Sequence, residues 1–422
     1  MLSPADADLV ARDHGLPGLA LLLDAEAFQE TLHGVLPDRR LGAIRIDYLR
    51  YKPCTNCLSA FTLDLDGILV RGYAKAHQLD DWGKLMKAAQ RPSRDGPLGP
   101  GRLIFAEDAI EVAIFPNDNK LKTLGRLFDD TSGPQLLASV FRDRPDLQAG
   151  TVNHLRYKPE RRFVGRLDID GEPRAVLKLY RQCAYAAART AAETLDAASS
   201  LLGHSTRHGL LAFEWRHGTQ LRDSIAGPVP ALASIERVGA ALAEFHNRDG
   251  DGLRVRDRAS EIVTIQALAE ALTILHPPLA RLASELVRKL TTGLRHAPAV
   301  NLPIHGDFYD RQVLVDDGRI VILDLDEAVL SDPAADLGLF VAHLVHAALS
   351  CDLQAARVAP VRDALLAGYG VPPERVDLYT AIGLLQLAPH HFRNREPNWS
   401  ERTEATLERA LTIVSPHAAS LA

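Results

Sequence analysis

The 422-residue sequence is defined first by what it lacks. It has no run of 18 or more apolar residues, which excludes a membrane-spanning helix of ordinary length. It has no basic excess: the formal net charge is −6, and a nucleic-acid binder working through its bulk charge would carry the opposite sign. The N-terminal stretch MLSPADADLVARDHG is acidic and lacks the basic-then-apolar pattern of a secretory leader, so a cytoplasmic protein is expected. There are four cysteines. Cys54 and Cys57 have CxxC spacing, but no second CxxC accompanies them, and two loop thiols in a reducing compartment are expected. No His-rich carboxylate set points to a metal-dependent hydrolase.

What is present is ordered. Hydrophobic residues make up 46% and charged residues 24%, enough for two or three domains with ordinary cores. Residues 42–77 alternate in the period-2 manner and predict three strands, the last two joined by a tight turn at Asp66-Gly67. A helix at 79–90, a Pro/Gly-rich loop at 91–101, strands at 102–107 and 110–116, and helices at 118–129 and 133–143 follow. The pattern then recurs. LRYKP occurs at 49–53 and again at 155–159, LDLDG at 63–67 is echoed by LDIDG at 167–171, and each is followed by a strand carrying a lysine, Lys75 and Lys178. Two related sheets are expected. From about residue 220 the chain becomes Ala/Leu-rich at helical spacing, interrupted by IHGDFYDRQVLV (304–315) and RIVILDLDEA (319–328). The class is α+β, with a sheet-rich front half and a helical back half, and the crevice between two such lobes is where a ligand is expected.

Asp307 follows His305-Gly306 at a strand end. Asp324 ends the next apolar run but one, across a hairpin that turns at 316–319. Pairing those strands brings the two acids to one edge, where they would repel unless a divalent cation shared them. That is the equipment of a phosphoryl transferase: a base for a hydroxyl proton and a metal-binding carboxylate.

The run His305-Gly-Asp307, then Gln312 and the apolar strand ending in Asp324, then Asp332-Pro-Ala-Ala-Asp336-Leu-Gly338, resembles the active-site motif of the aminoglycoside phosphotransferase/choline kinase-like family. Those proteins are distant relatives of the protein kinases. The resemblance covers roughly 150–400. It implies a bilobal protein-kinase-like fold, with an N-lobe at 146–212 and a helical C-lobe at 213–422. Asp307 would be the catalytic base, His305 its support and Asp324 the main Mg²⁺ ligand. Gln312 stands where the family has Asn; both offer a carbonyl oxygen to a second metal position. Lys178 would bind the nucleotide phosphates and pair with Glu193, with Lys75 as the competing lysine. The connector at 210–220 would be the hinge against which adenine stacks, with Phe213, Glu214 and Trp215 as its neighbours. The glycine-rich phosphate loop of protein kinases is missing; the corresponding turn is Lys158-Pro-Glu-Arg-Arg162, with Arg161 or Arg162 as a helper. Asp336 is expected to cap the helix that follows it. Residues 1–145 resemble the N-terminal cap domains of maltokinase-type sugar kinases and are expected to form an additional α+β domain.

The expected activity is transfer of the γ-phosphate of ATP, or alternatively GTP, to a hydroxyl of an antibiotic, sugar or related metabolite, with Mg²⁺ as cofactor. Partners are a small-molecule acceptor, with no nucleic acid or membrane, and a monomer or homodimer is expected. Asp249, Asp251, Glu396, Glu401 and Glu404 are the acids available to an acceptor pocket, interspersed with His390, His391, Arg393 and Arg395. That mixture does not single out a polycation. A regulatory pseudokinase, or a nucleotide-binding module without turnover, is the alternative.

Overall fold

The computed structural model describes residues 2–195 and 201–415. Three short helices open the chain: α1 (Pro4–Arg12), α2 (Leu19–Leu23) and α3 (Ala25–Val35). The first starts where its residues dictate. Ser3 accepts the Asp6 N–H at 3.1 Å and Pro4 occupies the first helical position, where its missing N–H is not needed.

Two five-stranded antiparallel sheets follow. The first comprises β1 (Leu41–Lys52), β2 (Asn56–Leu65), β3 (Ile68–His77), β4 (Arg102–Phe105) and β5 (Ile110–Ile114), in the order β1-β2-β3-β5-β4, with α4 (Trp82–Ala89) after its third strand. Short helices α5 (Leu124–Leu127) and α6 (Ser132–Val140) lead out of it. The second comprises β6 (Thr151–Lys158), β7 (Arg162–Ile169), β8 (Glu172–Tyr180), β9 (Leu201–Ser205) and β10 (Leu210–Glu214), in the order β6-β7-β8-β10-β9, with α7 (Gln182–Thr194) after its third strand. The strand orders are the same, so the repeat read in the sequence is a repeat of topology. Lys75 and Lys178 sit on the equivalent third strands. At both Asp66-Gly67 and Asp170-Gly171 the two turn residues have positive φ, the geometry a two-residue hairpin with right-handed twist requires.

The remainder is mostly helical: β11 (Thr219–Gln220), α8 (Leu221–Ala226), α9 (Leu232–His246), α10 (Arg258–Leu275), α11 (Ala280–His296), then the short strands β12 (Leu302–Ile304), β13 (Val313–Asp316), β14 (Arg319–Ile322) and β15 (Val329–Ser331), and α12 (Ala334–Leu349), α13 (Val358–Tyr369), α14 (Val376–Leu387), α15 (His390–Arg393) and α16 (Trp399–Val414). The β13–β14 hairpin also turns on an Asp-Gly pair, Asp317-Gly318, with positive φ at both. β12 pairs with β15, and β11 with β13.

By contact density the chain divides into two compact units. One is Met1–Tyr185 with Leu202–Glu214 and His391–Trp399; the other is Ala186–Leu201, Trp215–His390 and Ser400–Ala422. Both sheets belong to the first unit, and residues 145 and 146 fall inside it. One core in it joins Leu124, Leu136 and Phe141 to Phe163, Leu177 and Leu210. A smaller cluster sets Tyr157 of the second sheet against Leu58, Tyr73 and Ala113 of the first. In the second unit one core lies around Leu242, Phe308 and Phe340 and another around Leu286, Leu290 and Leu384.

Some expected elements differ. The helix expected at 118–129 shrinks to α5, because Asp118 Oδ1 accepts the N–H groups of Lys120 and Leu121 and holds a turn there instead. Residues 210–214 of the expected hinge are strand β10, paired with β8. Cys57 lies in β2, fully buried, and burial pushes its thiol up to about 12; it is a core residue, not a loop thiol.

Candidate active site

In the second unit the His305-Gly306-Asp307 loop leaves β12 and is anchored by a residue that sequence reasoning placed elsewhere. Asp336, in the first turn of α12, does not cap that helix. Its Oδ2 accepts the His305 N–H at 2.6 Å and its Oδ1 the Gly306 N–H at 2.8 Å. His246 Nε2 lies 3.0 Å from Oδ2, and His246 Nδ1 lies 2.9 Å from the Tyr369 hydroxyl. Burial would raise the Asp336 carboxyl, but the hydrogen bond and charge of His246, with a smaller pull from His305, hold it below the ordinary carboxylate value. Capping falls to Asp332, whose Oδ1 accepts the Ala334 N–H at 3.0 Å. Gly306 is obligatory for two reasons. Its φ is +78°, and a Cβ there would stand 2.3 Å from the Glu327 carbonyl oxygen.

The fully buried His305 ring joins the two acid-bearing loops. Its Nε2 lies 2.7 Å from the carbonyl oxygen of Leu323, the residue before Asp324, and its Nδ1 accepts the Asp307 N–H at 3.3 Å. A carbonyl only accepts and an amide N–H only donates, so Nε2 faces Leu323 as donor and Nδ1 faces Asp307 as acceptor. Asp324 itself has φ +63° and ψ +61°, a left-handed conformation that β14 leads directly into. Non-glycine residues hold it at a cost of about 1–2 kcal/mol, and such strain collects at functional positions. Gln312 ties the same loops through its backbone, its carbonyl accepting the Leu323 N–H at 2.8 Å. Its side chain is 8% exposed, and its amide has no hydrogen-bond partner among the described residues. An amide oxygen left unsaturated beside two carboxylate-bearing loops fits a hard cation. Mg²⁺ takes one or two carboxylates and completes its shell with water and phosphate, a ligand set that such loops could offer.

The flank of Asp307 is aromatic and basic. Tyr309 stacks on His343 of α12, with ring centroids 4.2 Å apart and an interplanar angle of 13°. Burial, then the charges of His390, His346, Arg311 and Arg222, push the His343 imidazole well below its usual range. Asp310 is paired with Arg222 at 3.3 Å, and burial nevertheless raises its carboxyl.

In the first unit Lys178 is buried on β8, flanked in register by Val164 and Leu211, with its Nζ 5.1 Å from the Phe213 ring centroid. The neighbouring side chains Leu177 and Leu179 face the core, so Lys178 and Phe213 share the opposite face. Glu193 is half-exposed and accepts from Arg189, four residues earlier on α7, at 2.7 Å. The Trp215 ring lies 6.4 Å from that of His217.

The turn after β6, where no glycine-rich loop was found, is held by residues of the N-terminal 145. Glu160, at φ +58°, receives Arg50 at 2.7 Å and Lys75 at 2.8 Å; Asp118 accepts from the Glu160 N–H at 2.8 Å and from the Tyr157 hydroxyl at 2.7 Å. Lys75, the competing phosphate lysine, is therefore committed to an ion pair. Glu396, His391 and Arg395, read as candidates for an acceptor pocket, are committed too. Glu396 meets His391 at 2.7 Å, and Arg395 makes two bonds to Asp6 at 2.9 and 2.7 Å, all within the first unit.

A family model described as the phosphotransferase enzyme family matches residues 149–410. No curated protein matches. Among solved structures, a thermostable mutant of aminoglycoside phosphotransferase APH(4)-Ia, in complex with ADP and hygromycin B, is 17% identical; the match covers 69% of this chain and all of that one, with a TM-score of 0.50. A choline/ethanolamine kinase family protein from Mesorhizobium loti is 16% identical, over 67% of this chain and 94% of that one, with a TM-score of 0.46. At this identity the APH(4)-Ia likeness is one of fold: kinase-like, sheet-rich first and helical after.

Proposed function

The chain belongs to the phosphotransferase enzyme family, and on that premise we propose that this small-molecule phosphotransferase moves the γ-phosphate of a nucleoside triphosphate to a hydroxyl of a sugar, nucleoside or related metabolite. Asp307 accepts the hydroxyl proton, and Lys178 binds the nucleotide phosphates. Asp324 and the Gln312 amide hold Mg²⁺, which when bound supplies charge neutralisation on the phosphates. The observation that carries the reading is the buried His305 ring, bonded at one nitrogen to the Asp307 loop and at the other to the residue before Asp324. Such a link fixes base and metal ligand relative to each other, and positioning is most of what phosphoryl transfer asks of a protein.

A neutral acceptor is favoured over a polycation. The groups around His343 and Tyr309, two residues beyond Asp307, are imidazoles and guanidiniums, and Asp310 is already paired with Arg222. Residues 1–145 are read as a cap that restrains the turn at 158–162 through Glu160 and Asp118.

The test is label transfer from γ-labelled ATP and GTP, with Mg²⁺, to separate pools of simple sugars, nucleosides, amino alcohols and aminoglycosides, with Asp307→Asn alongside. Label in a neutral pool that disappears with the substitution supports the proposal; label confined to aminoglycosides refutes the acceptor class. The second reading, nucleotide binding without turnover, draws on Gln312 and the missing glycine loop. It is favoured if Mg·ATP raises the melting temperature while no pool is labelled.

A further inference from the structure

A polar cavity lies in the first unit, where the edge strand β6 meets one face of the first sheet. Its volume is about 390 Å³, inside the roughly 300–1,000 Å³ range of small-molecule sites. Across β1, β2 and β3, Arg45, Thr62 and Arg71 form one rung, so their side chains stand on the same face of the sheet. Arg156 and Lys158 line the cavity from β6, making four cations in all.

Against them stands one acid, Asp47, and it is already engaged: Arg45 donates to it at 2.7 Å, and the Thr62 hydroxyl donates to its other oxygen. Arg71 and Arg156 have no ion-pair partner among the described residues. Positive charge gathered in a recess with its only acid spent is a binding surface for an anion.

The rest of the lining suits hydroxyl groups. His154 contributes an Nε2 that is buried and has no hydrogen-bond partner among the described residues, and its ring centroid lies 5.5 Å from that of Phe115 and 5.8 Å from that of Phe163. Burial first, and the neighbouring charge of Arg71 second, keep this imidazole below its ordinary value, so it titrates away from the cationic form. The phenol of Tyr48 and the amide of Asn394 also line the cavity.

We propose that this cavity binds a small phosphorylated compound of monosaccharide size, its phosphate on the guanidinium groups of Arg71 and Arg156 and its hydroxyls on Tyr48, Asn394 and the orphaned nitrogen of His154. Neither guanidinium belongs to the phosphoryl-transfer residues named above, so the site stands or falls apart from that reading.

Isothermal calorimetry on the full chain, saturated with Mg·AMP-PNP to fill the nucleotide site, with glucose 6-phosphate, glucose and inorganic phosphate as separate probes, tests it. Glucose 6-phosphate is expected to bind saturably, inorganic phosphate at least about tenfold more weakly, and glucose not at all. Arg71→Ala is expected to weaken glucose 6-phosphate about tenfold or more, the loss of a charge-assisted contact. Absence of saturable heat, equal affinity for inorganic phosphate, or unchanged affinity in a folded Arg71→Ala would overturn the assignment. Should that variant not fold, amide hydrogen exchange of the wild-type chain decides. Slowing by glucose 6-phosphate at 69–72 and 154–158 supports the site, and slowing only elsewhere removes it.

Discussion

The carboxylate of Asp336 accepts the backbone N–H of His305 at 2.6 Å, across 31 residues of chain. With Gly306 and His246 also bonded to it, one wholly buried carboxylate satisfies three donors that would otherwise have no partner in a dry interior. Asp336→Ala is expected to cost about 3–5 kcal/mol, the usual consequence of stripping a buried charge from its partners, read as a drop in the urea midpoint. The pH dependence follows from the direction of the shift. The folded carboxyl titrates below its unfolded value of 3.8, so its contribution is complete above that pH and is lost as pH falls through the folded value. The wild type should lose stability below about pH 4 more steeply than Asp336→Asn; parallel acid curves would refute this.

His305 makes contacts that Asp336 does not: its ring holds Asp307 and Leu323 together. His305→Ala removes that link. Misplacing a base by about 1 Å costs on the order of 10²-fold, so kcat should fall by about that factor while the nucleotide KM changes little. A rise in nucleotide KM with kcat intact would mean that the ring serves nucleotide binding instead.

The two carboxylates should fail differently. Asp307→Asn is expected to lower kcat by about 10²–10⁴, the usual weight of a general base, and to leave Mg·nucleotide affinity unchanged by calorimetry. Asp324→Asn should instead abolish the Mg²⁺ dependence of nucleotide binding. Equal loss of metal-dependent binding in both would show that Asp307 is a metal ligand.

Local chemistry was legible in the sequence; distant partnership was not. The hairpin at Asp66-Gly67 and the acid-bearing loops at Asp307 and Asp324 announce themselves within a dozen residues, because turns and strand ends are set by near neighbours. The repeat was legible for the same reason, strand by strand. Asp336 was misread because the first turn of a helix suits an acid whether or not it caps, and its true donors lie about thirty residues away. Lys75 could compete with Lys178 on sequence alone because its partner, Glu160, lies 85 residues on. The Asp6–Arg395 pair spans 389 residues, and no spacing rule reaches that far.

Glu160 offers the sharpest test of what the N-terminal residues do for the turn at 158–162. Its side chain is 6% exposed and lies between Arg50 and Lys75. Burial would raise the carboxyl, but Lys75 and then Arg50 outweigh it and hold the group below its ordinary 4.5. Its stabilising contribution is therefore whole above about pH 4.5 and fades as pH falls through the lower folded value. Glu160→Gln leaves two cations without a counter-charge and should cost about 3 kcal/mol or more. Lys75→Met leaves Arg50 in place to neutralise Glu160 and should cost less. If this clasp restrains a turn over the nucleotide phosphates, Glu160→Gln should also raise the nucleotide KM several-fold with acceptor KM unchanged, measured well below the melting temperature. A destabilised enzyme with an unaltered nucleotide KM would reduce the clasp to a strut between two sheets.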